Sequence, residues 1–451
     1  MPSVLDTLLS TSVTGGWFVV AVFALALALL SLTVVRRGEG RWSTARWGAA
    51  VALAAAAGGA LGWLLTWLVS EVWDAFGVSL SIAVHVAVAL GCAVIGVGVL
   101  ALTRRGVWRR LGAVGLVLSA VLVAAMLINI DFGRYATVQQ ALGLTSFSGA
   151  TLPSRASAGS GQDASGAALA QLLDTWQPPA DLPASGTVHQ VDIPASSSHF
   201  AARPALVYLP PAALVPNPPP LPVVIALSGQ PGSPKDVFEA GQVQGQLDAV
   251  AAADRGLAPI VVVPDQLGDP ANNPMCVDSA LGNSASYLTV DVPNWVRSTL
   301  NVAQGRADWA IAGFSQGATC AVQLGTGFSQ LFGSFLAIAP ELGPSSGDQA
   351  ATIAKGFGGS RAAYDAAQPL AIMKQDAPYS DSVGVFVIGE ADQQFGPNTE
   401  KLQAAATAAG IATSLFTSPG TAHDWHTGAY GFAQGIAALL PRLGLPPNAH
   451  G

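Results

Sequence analysis

The sequence predicts a chain in two parts. Residues 1–130 form a transmembrane region of four helices, and residues 186–451 form an α/β domain with a mostly parallel central sheet and flanking helices. Three observations lead there. Residues 17–130 are almost purely apolar and hold four stretches of membrane-spanning length. Residues 131–185 are rich in Ala, Gly, Ser and Pro and read as a flexible linker, with Ser154–Gly166 of low complexity. From Gly186 onward strand and helix signals alternate, the pattern of a parallel sheet.

Composition agrees with this division. A chain of 451 residues exceeds one ordinary core. Only 10% of residues are charged, against roughly 25% in an average soluble domain. The deficit is confined to the first part. Net charge is −7, and no basic-plus-aromatic surface pattern occurs, so nucleic acid is not an expected partner. None of the three cysteines lies in a CxxC pair or near a His at ligand spacing, so no metal is expected.

The predicted spans are Trp17–Val35, Gly48–Ser70, Val78–Leu102 and Leu111–Ile130. Trp63, Trp67, Trp73 and Trp108 lie near their ends, as interfacial aromatics do. A cleaved signal peptide fits poorly, because no basic residue precedes Trp17 and three more spans follow. The first loop carries Arg36, Arg37, Arg41 and Arg46, and the third carries Arg104, Arg105, Arg109 and Arg110. The second loop holds only Glu71 and Asp74. The positive-inside rule then puts loops one and three in the cytoplasm. The N-terminus and everything after Ile130 face outward, making this a multi-pass plasma-membrane protein with an extracytoplasmic C-terminal domain. His85 is the one ionisable group deep in a span and is expected to make an interhelical hydrogen bond. Membrane lipids are the expected partners of these helices.

In the linker, Ala167–Trp176 reads as a short helix ended by Pro178, Pro179 and Pro183. The later strands are predicted at Val188–Ile193, Ala205–Tyr208, Val223–Leu227, Ile260–Val263, Trp309–Gly313, Phe335–Ala339, Val383–Ile388 and Thr413–Phe416. The first two read as a hairpin. Helices are predicted at Val237–Ala253, Val292–Val302, Gln316–Gly325, Thr399–Ala409 and Gly428–Leu440.

Gly313-Phe314-Ser315-Gln316-Gly317 fits the Gly-x-Ser-x-Gly elbow, in which a nucleophilic Ser sits on a sharp strand-to-helix turn. Gly343-Pro344-Ser345-Ser346-Gly347 fits it too. Context separates them: an apolar strand leads into Gly313 and a helix follows Ser315, whereas Pro340 and Pro344 surround the second match. Ser315 is therefore the candidate nucleophile. Such a Ser needs a base, usually His, and a carboxylate to orient it, in the order Ser, acid, His. His85, His189 and His199 precede Ser315, and His450 lies in the tail. His423 and His426 remain, and His423 is favoured because it comes first after Pro419-Gly420. Asp392, after the strand Val383–Ile388, is the preferred acid, with Glu390 and Glu400 as alternatives. Asp424 beside His423 reads as an exposed loop carboxylate and is not expected to serve as the acid. The backbone N–H groups of Gln316 and of Gln230, next to Gly229, are the expected oxyanion-hole donors.

These motifs resemble the putative-esterase family of α/β-hydrolases, which includes esterase D, enterochelin esterases and secreted mycolyltransferases. The resemblance rests on Val207-Tyr208-Leu209-Pro210, Leu227-Ser228-Gly229-Gln230, Gly313–Gly317, Gly389-Glu390-Ala391-Asp392 and Gly420-Thr421-Ala422-His423-Asp424-Trp425. It covers roughly residues 186–445. It implies a Ser315–His423–Asp392 triad working without a metal or an organic cofactor. Ala422, inserted between Thr421 and His423, departs from the mycolyltransferase pattern, so fine specificity does not carry over, and the different acid position in those enzymes keeps Glu400 open. The four-helix region resembles multi-span envelope esterases of actinobacteria. The expected function is thus a serine esterase or acyltransferase acting on an acylated lipid or glycan of the cell envelope. The alternative is a non-catalytic envelope scaffold on a hydrolase-like fold. Outside the cell disulfides persist, so Cys276 and Cys320 are expected to pair, the alternative being two buried thiols. Cys92 is expected to pack as a small apolar residue in a span.

Overall fold

A computed structural model describes residues 4–35, 43–75, 77–147, 152 and 167–445. The chain divides into two units, Met1–Thr145 and Ser146–Gly451.

In the first unit four helices are long and apolar enough to cross a membrane: Gly16–Val34, Thr44–Val72, Ile82–Leu102 and Val107–Phe132. The second and fourth start earlier than hydropathy predicts, at Thr44 and Val107. Ser43 caps the second by accepting the Arg46 N–H, so backbone capping rather than polarity sets that end. The second helix finishes in a π-helical turn, Leu68–Val72. The third helix packs on the second and on the fourth, and the first packs on the fourth. Second and third approach closely: a Cβ on Gly58 would fall 2.3 Å from the Cys92 carbonyl oxygen, and one on Gly96 would fall 2.5 Å from that of Ala54. Cys92 is half-buried in this contact.

The two ends of this unit differ in chemistry. At one, Arg104 donates to the Thr33 carbonyl and lies over the Trp47 ring, whose Nε1 donates to the Val34 carbonyl. At the other, Ser81 donates to Asp131 and Ser70 to Glu71. His85 departs from expectation. Its Nδ1 lies 3.0 Å from the Ser81 carbonyl, one turn back on its own helix, and its ring sits against Trp63. Arg36, Arg37 and Arg41 lie outside the described residues.

The expected tether spanned residues 131–185, and its Ser154–Gly166 stretch lies outside the described residues. On the near side, Thr137 and Gln140 form a capping box for the turn Val138–Ala141, and the Val13 N–H donates to the Ala136 carbonyl. On the far side, helix Ala167–Asp174 buries Leu169 and Leu173 in the core of the second unit. Arg255 fixes its end through the carbonyls of Leu173, Asp174 and Trp176. Both flanks of the tether are therefore built into a unit.

The second unit is an eight-stranded sheet. Its strands are β1 (Thr187–Val191), β2 (Ala205–Leu209), β3 (Val223–Leu227), β4 (Ile260–Val263), β5 (Trp309–Phe314), β6 (Ser334–Ile338), β7 (Val383–Gly389) and β8 (Ala412–Ser418). They lie in the order β1-β2-β4-β3-β5-β6-β7-β8. β2 pairs antiparallel with β1 and β4, and the others are parallel. β3, β4, β5 and β6 are buried along their whole length, because helices cover both faces of a parallel sheet. That is why they read as unbroken apolar runs.

Helix boundaries shift for local reasons. The helix expected over 237–253 is two helices, Pro234–Glu239 and Val243–Ala253. Gln242 between them has φ 55°, which no helix interior accommodates. The helix expected to reach Val302 stops at Thr299. Three short helices between β6 and β7, Gln349–Gly356, Arg361–Ala366 and Pro369–Asp376, had no sequence signal. The helices after β5, β7 and β8 are Gln316–Gly327, Gly396–Ala408 and Trp425–Leu439.

Candidate active site

Ser315 stands between the end of β5 and the start of helix Gln316–Gly327, with φ 57° and ψ −120°. This is a costly conformation for a residue with a Cβ, held by its surroundings. The Ser315 N–H donates to the Ile338 carbonyl on β6. Both glycines of the pentapeptide are sterically required. A Cβ on Gly313 would fall 2.2 Å from the Gly317 carbonyl, and one on Gly317 would fall 2.4 Å from that of Ser228. The elbow is tight enough to raise the Ser315 hydroxyl above the carboxyl edge of the sheet.

His423 comes from the loop after β8. Its Nε2 lies 2.8 Å from Ser315 Oγ, and its Nδ1 lies 3.1 Å from Asp392 Oδ2. The carboxylate can only accept, so Nδ1 carries the proton and Nε2 accepts from the Ser315 hydroxyl. Asp392 follows β7, is 7% exposed, and takes the Phe395 N–H on its other oxygen. Phe314 and Phe395 lie against the imidazole, with ring centroids 5.2 and 4.2 Å away, and Trp425 backs Phe314. The loop is anchored by Asp424, which accepts the Ala422 and Thr427 N–H groups and caps helix Trp425–Leu439.

The other candidate groups lie elsewhere. Glu390 accepts the Gly420 N–H instead of meeting the imidazole. Glu400 is exposed on helix Gly396–Ala408, and His426 is exposed in the first turn of Trp425–Leu439. Ser345 is exposed, and its carbonyl accepts from Asn273.

The loop after β3 passes close to the nucleophile: a Cβ on Gly229 would meet Ser315 Cβ at 3.4 Å. Gln230–Pro231 is a cis peptide bond. Among the described residues, neither the Gln230 N–H nor the Gln316 N–H has an acceptor. Arg203 holds the far end of this loop by donating to the Gly232 carbonyl, while forming a two-pronged pair with fully buried Asp265. The hydrogen bonds to Asp265 raise the Arg203 pKa further, against the opposing effect of burial. Cys276 and Cys320 form a disulfide, with Cα atoms 5.5 Å apart, joining the loop after β4 to the helix that follows Ser315.

Sequence reasoning did not single out Phe395, Arg203, Asp265 or Gln266. Asp265 and Gln266 stand two and three residues past β4, and a position just beyond a parallel strand's carboxyl end is the one signal that could have raised them.

A family model described as "Putative esterase" matches residues 196–434, more than half of the chain. An uncharacterized protein of Corynebacterium glutamicum is 33% identical over 230 residues, covering 50% of this chain. This chain spans about half, 54%, of the length of that curated relative. Among solved structures, an S-formylglutathione hydrolase from Agrobacterium tumefaciens is similar at 22% identity and TM-score 0.48, covering 58% of this chain and 97% of that one. A ferulic acid esterase is similar at 18% identity and TM-score 0.49, covering 58% and 100%. A fluorophosphonate-binding serine hydrolase of Staphylococcus aureus is similar at 14% identity and TM-score 0.47, covering 57% and 99%. By its family match, the chain belongs to the "Putative esterase" family.

Proposed function

We propose that this chain is a membrane-held serine esterase or acyltransferase, acting on an acyl ester of a cell-envelope lipid or glycan outside the cytoplasmic membrane. The observation that carries the catalytic part is the unbroken path Ser315 Oγ–His423–Asp392, at 2.8 and 3.1 Å. His423 Nε2 removes the Ser315 proton as Oγ attacks the ester carbonyl. The carbonyl oxygen becomes an oxyanion, for which the free N–H groups of Gln230 and Gln316 are the donors. The imidazolium, oriented by ionised Asp392, returns the proton to the leaving alcohol oxygen as the C–O bond breaks. The acyl group then rests on Ser315. Water, or a sugar hydroxyl, attacks the acyl carbon as Nε2 takes its proton; the bond to Ser315 Oγ then breaks, that proton returns to Oγ, and the identity of the acceptor separates hydrolysis from transfer.

Four long apolar helices support the membrane part of this reading. Arg104, Arg105, Arg109 and Arg110 between the third and fourth helices support a cytoplasmic loop there. The Cys276–Cys320 disulfide supports an oxidising location for the catalytic unit. A membrane-held site keeps an amphiphilic ester within reach, which favours lipidic or lipid-linked substrates.

A fluorophosphonate probe tests the nucleophile. It labels the wild type and leaves Ser315→Ala unlabelled; equal labelling of both sinks the assignment. Envelope lipids compared with and without the protein identify the acyl ester.

A further inference from the structure

Gln266, just past β4, is fully buried, and its amide NH2 reaches two segments at once. One N–H donates to the Ser228 carbonyl at 2.7 Å, on the loop that leads to Gln230. The other donates to Gln316 Oε1 at 3.1 Å, on the first residue of the nucleophile helix. The Gln316 amide continues the chain, its Nε2 donating to Asn273 Oδ1 at 3.0 Å. Asn273 Oδ1 also accepts the Met275 N–H at 3.0 Å.

The direction of this chain is fixed at both ends by backbone groups. The Ser228 carbonyl can only accept, so the Gln266 atom beside it is nitrogen. The Met275 N–H can only donate, so the Asn273 atom beside it is oxygen. Gln316, between them, then has its oxygen toward Gln266 and its nitrogen toward Asn273. Flipping Gln266 or Asn273 would break a backbone contact, and flipping Gln316 would set donor against donor and acceptor against acceptor.

We propose that Gln266 is the positioning residue of the oxyanion hole. It cross-links the loop that carries the Gln230 N–H to the residue that carries the Gln316 N–H, and so sets the spacing between the two donors. This rests on the acyl-enzyme reading above. Among the described residues, Gln266 Oε1 is buried without a partner, so the side chain acts here through its NH2. An oxyanion exists only after attack, so loosening its donors lowers kcat and leaves ground-state binding alone.

The test uses full-length protein in detergent, turning over a p-nitrophenyl ester. Gln266→Met keeps the shape and removes both N–H groups. The expected result is a kcat about 100-fold lower, with KM little changed and the thermal unfolding midpoint retained. Gln316→Met cuts the same bridge from its other side and must give the same kcat loss, even if Gln266→Met fails to fold. The double variant must lose little more than either single variant. Wild-type kcat in either folded variant, or losses that multiply in the double variant, overturns the bridge while leaving the esterase reading intact. A wild type that turns over no ester and takes no fluorophosphonate overturns both.

Discussion

The two oxygens of Asp392 divide their partners between them. Oδ2 faces His423 Nδ1, and Oδ1 accepts the Phe395 N–H. Asp392→Asn keeps this shape but can donate toward Nδ1, which favours the wrong imidazole tautomer. It is expected to lower kcat by about 10⁴-fold with little loss of stability. Glu390→Gln, whose parent carboxylate serves the Gly420 N–H, retains most activity. The reverse ranking in ester kinetics would move the acid to Glu390. A second carboxyl invites a different measurement. Burial pushes Glu341 up from 4.5 to about 7, and Asn273, Gln316, Thr319, Gln323 and Ser345 beside it carry no charge. The folded protein therefore holds a proton that the unfolded chain releases. That stabilising effect is full below pH 4.5 and is lost as pH rises through 7. Glu341→Gln should match the wild type in thermal unfolding at pH 4 and exceed it at pH 8; equal midpoints at both refute the shift. Ser315 and His423 were legible because a strand-turn-helix setting and the order of histidines single them out. Gln266 and Phe395 were not, because their importance lies in contacts with partners such as Gln316, 50 residues away, and His423, 28 residues away. No local pattern records such contacts.

At the scale of elements, helix Trp425–Leu439 and the base share one fixture. Asp424 caps the helix and closes the turn that presents His423. Asp424→Ala is expected to cost about 1 kcal/mol of stability. It should also reduce kcat, because the imidazole loses its support; unaltered kcat with the stability loss would separate cap from base. The disulfide pins the nucleophile helix to the loop after β4 across 44 residues of chain. Replacing both cysteines by Ser should cost roughly 4 kcal/mol in the chain-entropy model, seen as earlier denaturant unfolding. The buried strands were legible within a residue or two, since a fully covered parallel strand must be an apolar run. The helices 349–376 were not. Each spans only six to eight residues, too few for an apolar period to stand out in the sequence.

Taken whole, the molecule's division was the plainest message of its sequence, because hydrocarbon and water select opposite compositions. The tether was harder. Ala, Gly and Ser read as linker by composition, yet Leu169 and Leu173 at its end enter the catalytic core. The Cys276–Cys320 bond has one more consequence, for how the molecule is watched in a living cell. Disulfides persist on the oxidising side of a membrane, so the redox state of Cys276 and Cys320 in the cell would report which way the chain was threaded. Protein trapped with a membrane-permeant alkylating agent at harvest should carry label on Cys92 alone. Label on all three cysteines would mean that the catalytic unit matured facing the cytoplasm. A single thiol count thus reads sidedness without a reporter fused to either end.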